Sequence, residues 1–201
     1  MNKTKIQLSA EEMKLVQNAD WILTKNRVIE KVYELFGELA AGMQSYIAAH
    51  ANELPDIIVA STPKISRGEQ YEGLPYVMLD YPRCFGKEET VAVRTLFWWG
   101  NYFSSTLHVK GGAKNLILNA GQKSNISVIS NMRVSDRGDE WSHNIRSINY
   151  MSSHDWLLKE SSFENENSFL KLTIQHPLQE WATASVFLNR YFEQWIELIK
   201  K

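Results

Sequence analysis

Apolar residues recur at three- and four-residue steps between residues 24 and 50. Val28, Ile29, Val32, Leu35, Phe36, Leu39, Met43, Tyr46 and Ile47 fall on one face of a helix about seven turns long. Thr24 offers a cap for it, and Leu54-Pro55 marks its end. Upstream, Ser9-Ala-Glu-Glu12 has the form of a capping box. It predicts a short helix over 10–17 with Met13 and Val16 inward, then a break at Asn18-Ala-Asp20 and a core anchor at Trp21-Ile-Leu23. A second long apolar stripe runs through Trp181, Ala184, Leu188, Phe192, Trp195 and Ile199, with Pro177 in the first turn of that helix.

Between these helices the period changes to two. Residues 76–81 read as a strand ended by Pro82, and 91–99 and 102–110 as strands joined by the two-residue turn Gly100-Asn101. That turn sets Trp99 opposite Tyr102, Thr95 opposite Thr106, and Val93 opposite His108. One face then carries Trp99, Tyr102, Ser104, Thr106 and His108. The other carries Arg94, Leu96 and Trp98. Neither face is polar throughout, so the sheet is expected to be covered in part on both sides. Residues 61–63 and 66–68 have turn chemistry, and 169–175 reads as a further strand. From 111 to 160 helix and strand fit about equally, with 145–151 and 156–159 as candidate strands. An exposed turn is expected at 161–168. The pattern as a whole predicts one α+β domain over 1–201: a predominantly antiparallel sheet around residues 75–110, packed by a long N-terminal helix and a C-terminal helix.

Composition narrows the function more than it defines it. Apolar residues make up 44% of the 201 and charged residues 22%, which is ordinary globular usage. A net charge of −1 gives no basic excess for a polyanion, so nucleic acid is not an expected partner. No run approaches the roughly 20 apolar residues that span a bilayer, so no membrane partner is expected and the cytoplasm is the expected location. Cys84 is the lone cysteine, which excludes an internal disulfide and a multi-cysteine zinc site. His143 and His154 match no metal motif, and Gly111-Gly-Ala-Lys114 lacks the spacing of a phosphate loop, so no metal and no cofactor is expected.

Two residue groups carry candidate chemistry. Arg94 lies in an apolar strand and is costly to bury without a partner. Asp80, at the end of the neighbouring strand, is the expected one, with Arg83 nearby. The group reads either as a structural ion pair or as an anion site. The row Trp99, Tyr102, Thr106 and His108 combines an aromatic floor with a few directional polar groups, as small-molecule pockets do. The competing expectation is that a helix covers this face. Two function classes follow: a non-catalytic domain that binds a small molecule or a protein partner, or a small metal-independent enzyme, such as a hydrolase, using His108 with Arg94 and Asp80.

Overall fold

The computed structural model describes residues 6–118, 126–127, 129–158 and 168–200. The expected exposed turn at 161–168 falls outside them except for its last residue. The centre of the molecule is a seven-stranded antiparallel sheet. Its strands are β1 (Lys64–Tyr71), β2 (Leu74–Phe85), β3 (Thr90–Trp98), β4 (Tyr102–Lys110), β5 (Arg133–Ser135), β6 (Met151–Ser152) and β7 (Leu170–Pro177). They lie in the order β1-β2-β3-β4-β7-β5-β6. The helices are α1 (Ala10–Gln17), α2 (Ala19–Ala49), α3 (Asp56–Val59), α4 (Gly112–Leu118), α5 (Ser153–Leu157) and α6 (Ala184–Leu198). This is the α+β arrangement that the sequence pattern predicts, with the long N-terminal helix and the C-terminal helix packed on the sheet.

The helical stripes fold as their spacing dictates. Ile29, Val32, Phe36, Leu39, Met43 and Ile47 of α2 are buried, as are Leu188, Phe192, Trp195 and Ile196 of α6. They meet Val77, Leu79, Val93, Phe97, Phe103, Leu107, Leu172 and Ile174 from one face of the sheet. Trp195 also donates from Nε1 to Ser105 Oγ at 2.9 Å, so its one polar atom is satisfied inside this core.

The start of α2 departs from expectation. Its cap is Asn18, whose Oδ1 accepts from the Trp21 amide at 3.1 Å, and not Thr24. Trp21, Ile22 and Leu23 are 43%, 53% and 51% exposed, and α1, including Met13 and Val16, buries nothing. Length explains this. A 31-residue helix is about 46 Å long, while a nine-residue strand is about 30 Å, so the first turns of α2 overrun the sheet. The capping box itself forms as read, with Ser9 and Glu12 bonded reciprocally.

Three features of the strands also differ. β1 runs through 66–68, read as a turn, because a polar strand at the sheet edge needs no apolar alternation, while 61–63 lies outside any strand. Pro82 does not end β2: it sits where the ladder shifts register between Asp80 and Arg83, so its missing N–H breaks no regular pair. The turn after β3 holds three residues. Asn101 N bonds Trp98 O at 3.0 Å, Gly100 takes a φ of +71°, and Trp99 N bonds Pro75 O at 3.0 Å. Trp98 therefore pairs with Tyr102, Arg94 with Thr106, and Ala92 with His108. A one-residue slip reverses every side chain of one strand relative to the other. Farther along, 145–150 is irregular and Trp156 lies in α5, so neither candidate strand there forms as read.

Candidate functional site

The corrected register gathers the sequence candidates on one face, away from the long helices. Asp80, Arg94, Thr106, Thr173 and Arg133 are paired successively across β2, β3, β4, β7 and β5. Alongside runs a second row, His108 opposite Lys171 opposite Ser135. Tyr102 and Ser104 extend the same face of β4. Trp99 does not join them. It packs toward the helix side and stacks on Trp21 at 6.2 Å, beside a separate hollow of about 350 Å³ that includes Asn18, Thr24 and Lys25.

Arg94 and Asp80 form a two-pronged pair, Nε to Oδ1 at 2.6 Å and the second guanidinium nitrogen to Oδ2 at 2.9 Å. The remaining terminal nitrogen donates to His143 Nε2 at 2.9 Å. His143 must be the neutral acceptor there, since a protonated imidazole has no lone pair to offer. Burial, then the charges of Arg94 and Lys171, hold it well below the usual histidine range. Arg83 stands apart: it is exposed, and its Nε donates to Thr62 O at 3.0 Å. The bulge after Asp80 turns it out of the group.

Over this face lies an irregular strap, residues 136–150. A segment without ladder bonds must satisfy its backbone in another way, and here the sheet's side chains do it. Lys171 Nζ donates to Glu140 O at 2.9 Å and to Ser142 O. Tyr102 donates to His143 O at 3.0 Å and accepts from Ile145 N at 3.1 Å. His143 N donates to Tyr71 Oη at 2.7 Å, and within the strap itself Tyr150 Oη donates to Ser142 O at 3.1 Å. Burial pushes the Tyr102 phenol up to about 12 and Lys171 down to about 8. Much of the polarity that marks this face in the sequence therefore serves to clamp the strap.

His108 is 3% exposed beneath the strap, beside Trp141, Phe85 and Phe169. Burial first, then Lys171, Arg94 and Lys110, push its pKa down to about 3. Glu140 Oε1 stands 2.9 Å from Nε2, yet outside hydrogen-bonding geometry. That carboxylate favours the protonated ring, but it is part-exposed and solvent weakens it, so the downward direction prevails. Thr106 and Thr173 are bonded to each other at 3.0 Å.

Where the strap ends, the same face opens into a groove of about 960 Å³. Tyr102 and Gln175 form part of its floor, Asn131 and Arg133 one side, Ile145 and Arg146 another. Arg133 closes the polar row described above, and Arg146 lies over the Tyr102 ring at 5.9 Å.

Lys171 was open to sequence reasoning by the argument that singles out Arg94, a cation inside the apolar strand Leu170-Lys-Leu-Thr-Ile174. Glu140, His143 and Tyr150 carry no such signal, because the strap that holds them has no period. Among the described residues, no three histidine, cysteine, aspartate or glutamate side chains are grouped to hold a metal ion. No described helix is long and apolar enough to cross a membrane. No protein-family model, curated protein or solved structure matches the chain.

Proposed function

We propose that this protein is a non-catalytic binding domain that takes a small polar molecule in the groove beside the strap. One observation carries the reading: the strap buries Thr106 and His108 on this sheet face, and where it ends a groove that includes Tyr102 opens on the same face. The volume is ample for a small molecule, and the lining mixes the Tyr102 phenol and the His154 imidazole with amides, hydroxyls and guanidinium groups. A protein partner on the same face would first have to displace the strap.

The test is a fragment screen followed by backbone amide shifts in solution. Shifts should cluster at residues 100–102, 131–133, 145–146, 152–154 and 175–179. Hits that cluster elsewhere, or none at all, would sink the reading.

A second reading, a metal-independent enzyme working through His108 with Arg94 and Asp80, has one contact in its favour: the Glu140 carboxylate 2.9 Å from the imidazole. It requires the strap to lift, since His108 is buried and Arg94 is fully engaged with Asp80 and His143. Absence of turnover of p-nitrophenyl acetate and p-nitrophenyl phosphate, or turnover that survives His108→Gln, removes it.

A further inference from the structure

We infer that the ligand of this groove carries a phosphate group, and that Arg133 and Arg146 hold it. The inference rests on the binding reading above and adds the chemistry of what is bound. Two guanidinium groups from separate elements, β5 and the end of the strap, line one groove. No aspartate or glutamate is among the lining residues, and neither arginine forms an ion pair with a described carboxylate. This contrasts with Arg94, whose three nitrogens all have partners.

Asp155, next in the chain to the lining residue His154, is turned to local work. It accepts from Ser152 Oγ at 2.6 Å, and its amide donates back to that oxygen at 3.0 Å. Among the described residues the Arg133 guanidinium makes one hydrogen bond, to Tyr150 O at 3.1 Å, which orients it and leaves other N–H groups to donate. Arg146 is exposed, with its guanidinium over the Tyr102 ring, and so is fixed in direction without losing its donors.

Two positive charges with no acid between them call for about two negative charges on the ligand. A phosphate monoester carries nearly that charge at neutral pH on three strong acceptor oxygens, which match planar guanidinium forks. A single carboxylate would neutralise only one of the two. The amides of Asn131, Gln175 and Gln179 suit the polar body of such an ester.

Titration calorimetry and amide shifts with four probes test the inference: inorganic phosphate, glucose 6-phosphate, glucose and succinate. The expected result is saturable binding of both phosphates, with the ester at least tenfold tighter if its sugar body is read and equal to phosphate if the free ion is the ligand. Glucose should not bind, and raised salt should weaken both phosphates. Arg146→Gln, at an exposed position, should weaken them at least tenfold. Arg133→Gln should do the same, while Arg133→Lys, which keeps the charge near Tyr150 O, should recover part of the loss. Succinate binding as tightly as the phosphates would overturn the assignment to phosphate. Phosphate binding unchanged in both arginine variants would overturn the site. If glucose, succinate or a screened fragment shifts the groove amides while neither phosphate does, this inference falls and the binding reading stands. If nothing shifts them, both fall.

Discussion

On one side of the sheet Phe36, Phe103, Phe97 and Trp195 interlock with aliphatic neighbours, and the two regular helices satisfy their own backbones. On the other side Lys171, Tyr71 and Tyr102 bond the backbone of an irregular strap, and Arg94 donates to its His143 side chain. Apolar burial is non-directional and tolerates small rearrangements of shape. Buried charge and hydrogen bonding are directional, sensitive to pH, and costly when one partner is lost. The helix face should therefore respond to lost volume, and the strap face to lost partners and to acid.

Trp195→Ala should produce the largest loss. It opens a cavity in the helix-side core and leaves Ser105 Oγ without its donor, for a cost of about 3–5 kcal/mol in urea unfolding. A loss below about 1 kcal/mol would mean that this core is looser than its packing implies.

Arg94→Leu should cost about 3 kcal/mol, because it strands a buried carboxylate and removes the donor to His143. Adding Asp80→Leu should recover part of that loss. Simple additivity of the two changes in a double-mutant cycle would show that they are not coupled, and the contrast between the faces would break at its centre.

Acid should separate the faces next. His108, pushed down to about 3, and His143, held well below the usual histidine range, both have folded pKa values below that of the unfolded chain, so as pH falls below 6.5 the unfolded state binds more protons. Stability from these groups is complete above pH 6.5 and falls as pH drops, by about 1.4 kcal/mol per pH unit for each histidine. His108→Gln combined with His143→Gln should flatten the curve of stability against pH between 6.5 and 5. An unchanged slope would assign the acid sensitivity elsewhere.

The smallest effect belongs to a segment that neither face holds. Ser9→Ala breaks a capping box worth about 1 kcal/mol to its own helix. Since α1 buries no residue, the global unfolding midpoint should stay where it is. Hydrogen exchange should quicken in residues 10–17 alone.

The same contrast decides what the sequence discloses. α2 and α6 are legible because one stripe of apolar residues fixes both the element and the face it buries. Asp80 and Arg94 are legible because a charge in an apolar strand demands a partner. The face they share with His108 is not legible, since it depends on whether Trp99 belongs to a strand or to a turn. Gly100-Asn101 suits a two-residue turn, yet the bond from Trp99 N to Pro75 O draws the tryptophan into a three-residue one. That bond comes from a residue 24 positions away, and no local pattern announces it. The strap is hidden for a similar reason: its hydrogen-bond partners lie on β1, β3, β4 and β7 and leave no period of their own. Arg133 and Arg146 line a groove only because strap and sheet meet there.

The two ends of the sheet have a consequence for how copies of this chain meet. A bare strand edge is a template on which another chain can add itself, and a long apolar edge invites aggregation. β1 presents Lys64, Arg67, Glu69 and Gln70 as exposed residues, with a register shift between Gly68 and Tyr71. At the opposite end, β6 is two residues long. One end repels a flat apolar strand through charge and irregularity, and the other is too short to seat one. The polarity that hides β1 from a sequence reading is thus a property that disfavours the addition of a flat apolar strand at that edge.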